Sequence, residues 1–438
     1  MQKVSKFEQL IIRGLFLWVG FGLLIVGLYF MLLVGHELSP PRRVVYGYVP
    51  SLAGAACLFM LWAGHRLRLL VAVNGLAVVG ALLMAEAYLQ LYPGRLEPDG
   101  LRNPLPTELS ARIPHSCPSS LLNRHLSGHS GERLLPLTGI SSNLIARDVT
   151  DEGATLTRMS DKYGFNNPPD SWRRNEVDIL IVGDSYAFGT DVRIGEGFSD
   201  RLRTSYQVVN LACGGNGPLI ELATLKEYGP HLSPPVVVWA YFEGNDLTKN
   251  LVEEMTDPIL LRYLNGDFSQ DLINRQPEID SVLASYLESE LASRRDARQA
   301  HTITERQLSL KRLFMLGSIV SVFGFSIDFD NSYLHHFGDI IRQAEALVSS
   351  WGGELVFLYL PSEHRYTNVI ANYVADSYAD RVMNVVSNSG VQRIIDVRAV
   401  FADHPDPRSL HDGHYTPTGY RLVAESITDE LGSRELKD

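Results

Sequence analysis

The sequence predicts a doubly wound α/β sheet behind an all-helical, membrane-spanning N-terminal region. Three observations predict it. Residues from about Leu10 to Tyr92 are mostly apolar, and the remainder has the composition of an ordinary soluble domain. The second part holds short runs of apolar β-formers. Helical patterns lie between those runs, and strands alternating with helices build a parallel sheet covered on both faces.

The apolar region comes first. Ile11 to Val34 is apolar apart from Arg13, long enough to cross a hydrocarbon core of roughly 30 Å. A cleaved signal peptide is the rival reading, given Lys3 and Lys6 ahead of the run. The run is long for a signal core, and no small-x-small cleavage site follows it. Two more apolar stretches, near Tyr46–Ala63 and Leu69–Leu91, flank the basic cluster His65-Arg66-Leu67-Arg68. Glu86 falls inside the third stretch, close enough to its end to face a headgroup or a partner, and the preferred reading is a tilted helix with one costly but snorkelling carboxylate.

Three spans put the termini on opposite sides of a bilayer. Lys3, Lys6, Arg66 and Arg68 then oppose Arg42, Arg43, Arg95 and Arg102, close to a tie on the positive-inside rule. The orientation taken is N-terminus inside. It makes an integral protein of the cytoplasmic membrane, with its soluble domain on the outer or periplasmic side. The expected organisation is a transmembrane region over 1–93, a connector over 94–150 and a catalytic domain over 151–438. The connector is read from Pro93 to Pro136, rich in Pro, Ser, Arg and Leu without periodicity.

The formal net charge is −11 and there is no long Lys/Arg run, so no nucleic-acid partner is expected. The three cysteines make no metal motif and no disulfide framework. Cys57 sits in an apolar segment. Cys117 and Cys213 leave two readings open, free thiols or a bridge formed outside the cytoplasm.

The sheet is read in order. Asp178–Val182 is the first strand, and 207–211, 235–241, 354–360 and 391–397 are the next four. Leu219–Tyr228, Phe337–Trp351 and Thr418–Leu431 are the clearest helices between and after them. Residues 247–331 break the rhythm with charged helical segments such as Glu278–Arg298, then an apolar patch at Leu313–Phe325. This insertion is read either as a helical cap over the active site or as a surface excursion packed on the core.

Chemistry gathers at the strand ends. The first strand runs into Gly183-Asp184-Ser185-Tyr186. A tight glycine turn there presents the next side chain at the carboxyl edge, where open α/β sheets place ligands. A serine so placed can be a nucleophile if a base and an oxyanion hole come from elsewhere. The second strand runs into the glycine-rich Cys213-Gly214-Gly215-Asn216-Gly217, where a backbone N–H can approach a ligand closely. The third runs into Glu243-Gly244-Asn245-Asp246, where a carboxamide can supply a second oxyanion donor or make a plain Asx-turn. Before the last helix comes His411-Asp412-Gly413-His414, a loop with a candidate general base and a carboxylate.

These blocks, in this order, resemble the SGNH/GDSL hydrolase superfamily over about Asp161 to Ile427. The resemblance assigns Ser185 as nucleophile, Gly215 ahead of Gly214 as the glycine of the second block, Asn245 as the asparagine and His414 as the base. The segment Asp161-Lys162-Tyr163-Gly164-Phe165-Asn166-Asn167 is similar to the lead-in of membrane-linked and secreted members. The implied fold is a three-layer, flavodoxin-like parallel sheet. The implied oxyanion hole is Ser185, Gly215 and Asn245. No metal or organic cofactor is implied.

The chain departs from the family pattern twice. The third block is tight, with Glu243 ahead of Gly244-Asn245-Asp246 and no spacer. The position three before His414 is His411, where the family usually has Asp. Asp412 is taken as the orienting acid, with a Ser–His dyad as the alternative, and Asp184 is given a structural role in the nucleophile turn. The resulting expectation is a membrane-anchored serine esterase cleaving O-acyl or O-acetyl esters of a cell-envelope glycan. An O-acetyltransferase on the same substrates, a lipid esterase or lysophospholipase, and a catalytically silent glycan-binding module are the alternatives. The expected partners are an ester substrate and the lipid bilayer.

Overall fold

The computed structural model describes residues 6–32, 43–91, 117–149, 154–173, 176–300, 313, 316–322 and 333–432. Two compact units emerge. One joins residues 1–98, 305–332 and 368–378, and the other joins 99–304, 333–367 and 379–438.

The N-terminal unit is helical. Helix α1 covers Lys6–Leu32, α2 Val49–Phe59 and α3 His65–Leu91. Three helical stretches, Gln9–Leu32, Arg43–Trp62 and His65–Leu91, are long and apolar enough to cross a membrane. Glycines let α1 and α2 approach closely. A Cβ added at Gly54 would lie 2.7 Å from the Gly20 carbonyl oxygen, and one at Gly27 would lie 2.6 Å from that of Gly47, in the helical turn Arg43–Tyr48 just before α2. Small residues at a helix contact are the usual means of packing in lipid.

Glu86 departs from the expected snorkelling carboxylate. It is fully buried and accepts hydrogen bonds from Ser318 N (2.9 Å), Ile319 N (2.8 Å) and Gln90 Nε2 (2.9 Å). The described part of the apolar patch thus docks on α3 through the first amides of a short helix, Gly317–Val322. A carboxylate inside an apolar helix becomes tolerable once N–H donors surround it. The rest of Leu313–Phe325, apart from residues 313 and 316, lies outside the described residues. So do Lys3, Arg42, Arg95, Arg102 and the connector up to residue 116.

The second unit is built on five parallel strands. They are β3 Ile179–Gly183, β4 Val208–Asn210, β5 Val236–Phe242, β6 Glu354–Leu360 and β7 Arg393–Asp396, numbered after a preceding hairpin of β1 Leu144–Val149 and β2 Ala154–Met159. Their spatial order is β4-β3-β5-β6-β7. This is the flavodoxin-like order 2-1-3-4-5, with its switch point beside β3. Ile181 pairs with Asn210, Gly183 with Ala240 and Phe242 with Leu360. The strands are near-continuous apolar runs because both faces are covered, and Leu180, Ile181, Val238, Trp239, Val356 and Phe357 are all fully buried.

The stretch read as a connector is, from Cys117 on, part of this unit. Leu121, Leu126, Leu134, Leu135 and Leu137 are buried, and the β1–β2 hairpin follows them. Leucines without periodicity had looked like linker, yet each fills the core singly. The insertion divides between the units: residues 247–304 belong to the second and 305–332 to the N-terminal one. In the former, Asp257 caps helix Pro258–Leu264 and takes Arg133, which ties residues 117–137 to the insertion.

Candidate active site

The Gly183-Asp184-Ser185 turn follows from local rules. Gly183 has φ +159°, and a Cβ there would meet Ala187 Cβ at 2.6 Å and Ala240 O at 3.0 Å, so only glycine fits. Asp184 then caps the short helix Ser185–Phe188, its Oδ1 accepting from Tyr186 N at 2.8 Å. Ser185 is the first residue of that helix, at the carboxyl edge of β3.

His414 meets Ser185. Its Nε2 lies 2.9 Å from Ser185 Oγ, across 229 residues of sequence. The imidazole sits on a two-stranded turn, β8 His411–Asp412 and β9 His414–Tyr415. Tyr186 braces that turn by donating from its hydroxyl to Gly413 O at 3.1 Å, while its ring stacks on Phe242 with centroids 3.7 Å apart.

The carboxylate on His414 is not Asp412 but Asp191. Asp191 Oδ2 lies 2.5 Å from His414 Nδ1. The ring has one Nδ1 and Asp191 occupies it, while Asp412 is exposed. Asp191 follows the nucleophile helix through Gly189-Thr190 and holds φ +67°, an unusual backbone for a residue other than glycine. Tolerated strain of this kind collects at functional sites. An Asp two residues past a helix-ending glycine was the available sequence signal, and the expectation of an acid near His414 hid it.

His411 has no part in the relay. It is buried beside Tyr366, Phe401 and Tyr415, with ring centroids 6.0, 5.6 and 5.0 Å away. Neither ring nitrogen has a partner among the described residues. Burial pushes its pKa down to about 3, so it is neutral.

The three expected oxyanion donors are as follows. The backbone N–H groups of Ser185 and Gly215 donate to no described residue and remain available. Gly215 takes φ +75°. The Asn245 side chain lies close enough to Asp184 to pull its pKa down, and its Oδ1 is buried without a described partner. Asp184 Oδ2 also accepts from Ser185 Oγ at 3.4 Å. Burial raises the Asp184 pKa to about 6 against the opposing pull of Tyr186 N, His414 and Asn245.

Behind the loop, Asp246 Oδ2 accepts from Phe242 N at 2.8 Å. Burial first, then repulsion from Glu221 and Asp184 on Asp246 and from Glu254 and Asp184 on Glu221, hold both carboxyls well above the usual carboxylate range. Glu243, the residue that tightens the third block, is buried against Arg365, with Glu243 Oε2 and Arg365 Nη2 2.8 Å apart. It also accepts from Tyr359 Oη at 2.6 Å and Ser362 N at 2.7 Å. Glu243 therefore anchors β5 to the loop after β6.

The lead-in Asp161–Asn167 braces the same edge. Asp161 accepts from Asn167 Nδ2 (2.7 Å) and Trp172 Nε1 (2.6 Å). Asn167 Oδ1 accepts from Asn210 N at 2.7 Å, at the end of β4. Asn166 Nδ2 donates to Phe188 O at 3.0 Å, at the end of the nucleophile helix. Cys117 and Cys213 form a disulfide, which sequence alone left open. Among the described residues no cluster of three or more His, Cys, Asp or Glu side chains is arranged to hold a metal.

No family model and no curated protein matches the chain. Solved structures do. LAE5, an α/β hydrolase from the metagenome of Lake Arreo in Spain, is 12% identical, with a TM-score of 0.32, over 60% of this chain and 97% of its own. The lipase/acylhydrolase from Enterococcus faecalis is 12% identical with a TM-score of 0.32, covering 59% and 96%. A catalytic mutant of Axe2, an acetylxylan esterase from Geobacillus stearothermophilus, gives the same identity, TM-score and coverage. The reading of the site rests on its own geometry.

Proposed function

We propose that this chain is a membrane-anchored serine esterase of the SGNH/GDSL type. One observation carries the reading: Asp191, His414 and Ser185 are linked in a single hydrogen-bonded line beside two unpartnered backbone N–H groups. That is the arrangement nucleophilic acyl transfer needs.

In the proposed reaction His414 Nε2 takes the Ser185 hydroxyl proton as Oγ attacks an ester carbonyl. Asp191 keeps the other ring proton on Nδ1 and stabilises the imidazolium. The N–H groups of Ser185 and Gly215 and the Asn245 amide receive the oxyanion. His414 then gives its proton to the departing alcohol. Water, deprotonated by His414 in turn, releases the acid and restores Ser185. A second alcohol in place of water makes the same enzyme a transferase.

The substrate proposed is an O-acyl or O-acetyl ester of a cell-envelope glycan. Three membrane-length helices ahead of the catalytic unit support an anchored enzyme. The Cys117–Cys213 bridge supports an oxidising compartment, hence the outer or periplasmic side. The silent-module alternative loses its support, since Glu243 is accounted for by Arg365 and an acid is present in Asp191.

The test uses the full-length chain in detergent, assayed on p-nitrophenyl acetate, on longer-chain esters and on an O-acetylated polysaccharide. Acetate release that vanishes in Ser185→Ala supports the proposal. Preference for long chains moves it to a lipid esterase, and acetyl transfer to an added glycan acceptor makes it a transferase. No turnover and no labelling by a serine-reactive phosphonate overturns it.

A further inference from the structure

We propose that Ser119 is a positioning residue that aims the Gly215 N–H at the oxyanion. The inference rests on the esterase reading above and on the role of Gly215 in it. Ser119 lies outside the family-like blocks, 95 residues before Gly214, whose carbonyl it holds.

The Gly214 carbonyl and the Gly215 N–H belong to one planar trans unit and point in opposite directions. Whatever fixes the carbonyl fixes the direction of the N–H. Ser119 Oγ donates to Gly214 O at 2.9 Å. It is the hydroxyl that holds this unit from the carbonyl side, while the N–H faces away with no described acceptor. Two glycines in succession allow the unit to rotate easily, so an external tether is needed.

The tether also explains the glycine. A Cβ at residue 215 would meet Ser119 Oγ at 2.8 Å and Ser119 Cβ at 3.4 Å. Ser119 therefore packs directly on the face of Gly215 that a side chain would fill. Gly215 is left-handed as well, at φ +75°, so two independent constraints select glycine.

Ser119 is itself held firmly. It lies in the 3₁₀ turn Pro118–Leu121, next to Cys117, whose partner Cys213 immediately precedes Gly214. Ser120 Oγ donates to Cys117 O at 2.7 Å, and Leu121 is fully buried. On the other side, Asn216 N donates to Cys213 O at 3.2 Å and closes the glycine turn. The disulfide sets the distance between the two loops, and the hydroxyl sets the peptide orientation.

A preset donor of this kind acts on the developing charge, not on the bound ester. Its loss is therefore read in kcat and not in KM. A misplacement of 1 Å costs about 100-fold, and loss of a donor about 10²–10³-fold. In the full-length protein with p-nitrophenyl acetate, Ser119→Ala is expected to lower kcat by at least about tenfold, within those bounds. KM and thermal midpoint should stay near the wild type. Ser119→Thr, which keeps the hydroxyl, should recover most of the kcat.

An unchanged kcat in Ser119→Ala overturns the proposal. So does a parallel loss of kcat, KM and thermal midpoint that Thr fails to rescue, since that marks a merely structural residue. Wild-type protein without Ser185-dependent turnover removes the underlying esterase reading, and the assignment of Ser119 with it. Robust wild-type turnover with an indifferent Ser119→Ala removes the assignment alone.

Discussion

Asp191 Oδ2 lies 2.5 Å from His414 Nδ1, although the two residues are separated by 223 positions. In the proposed relay the acid comes from the loop after the Ser185–Phe188 helix, and the base comes from the loop before the last helix. This predicts a sharp contrast between two aspartates. Asp191→Asn should lower kcat by about 10⁴, because an amide at Nδ1 favours the wrong tautomer. Asp412→Asn should change kcat by no more than about twofold, as exposed substitutions do. Steady-state kinetics on p-nitrophenyl acetate checks both, and a large loss in Asp412→Asn would reverse the assignment.

Asn245 is expected to act on the transition state. Asn245→Ala should reduce kcat by about 10²–10³ with little change in KM. The same variant removes the amide that pulls the Asp184 pKa down. A matched Asp184→Asn variant, with its own kcat and KM, separates loss of the donor from loss of the brace.

His411 gives a pH prediction. Its folded pKa is about 3 against an ordinary 6.5, because burial disfavours the cation. The unfolded chain binds the extra proton between those values, so stability is full above about pH 6.5 and declines as pH falls toward 3. His411→Phe should remove that part of the acid sensitivity. It should also raise stability at neutral pH by about 1–2 kcal/mol, since two buried unpartnered nitrogens disappear. Thermal melts of both proteins across pH 3.5–7.5 measure it, and parallel pH profiles would refute it.

Glu243 and Arg365 form an ion pair whose two side chains are each 2% exposed. Arg365→Met strands the carboxylate and should destabilise the fold by about 3–5 kcal/mol. Adding Glu243→Gln to that variant should restore a large part of the loss. Chemical denaturation of the single and double variants decides the point, and an additive double variant would show that the pair does not act as a unit.

Much of this was legible in the sequence. The runs around Ile179, Val236 and Glu354 announced buried parallel strands, because they are short, continuously apolar and rich in β-branched residues. The glycine turns placed Ser185, Gly215 and Asn245 at one edge before any coordinates did. The carboxylate on His414 was missed, since spacing within 411–414 drew attention away from a loop 223 residues earlier, where an Asp after a helix-ending glycine was the only local sign. The β1–β2 hairpin and the buried leucines after Cys117 were missed because neither has a repeat long enough to show a period. Glu86 was misread because its partners, Ser318 and Ile319, lie on a short helix whose docking has no local signal.

Glu86 also bears on the order in which the molecule can be made. A ribosome must add another 232 residues after this glutamate before the amide of Ser318 exists. Through that interval the third apolar helix carries a carboxyl group without these two donors. These helices are thus made well before the segment that completes them, and a chain cut short before residue 318 would leave the Glu86 helix permanently unfinished.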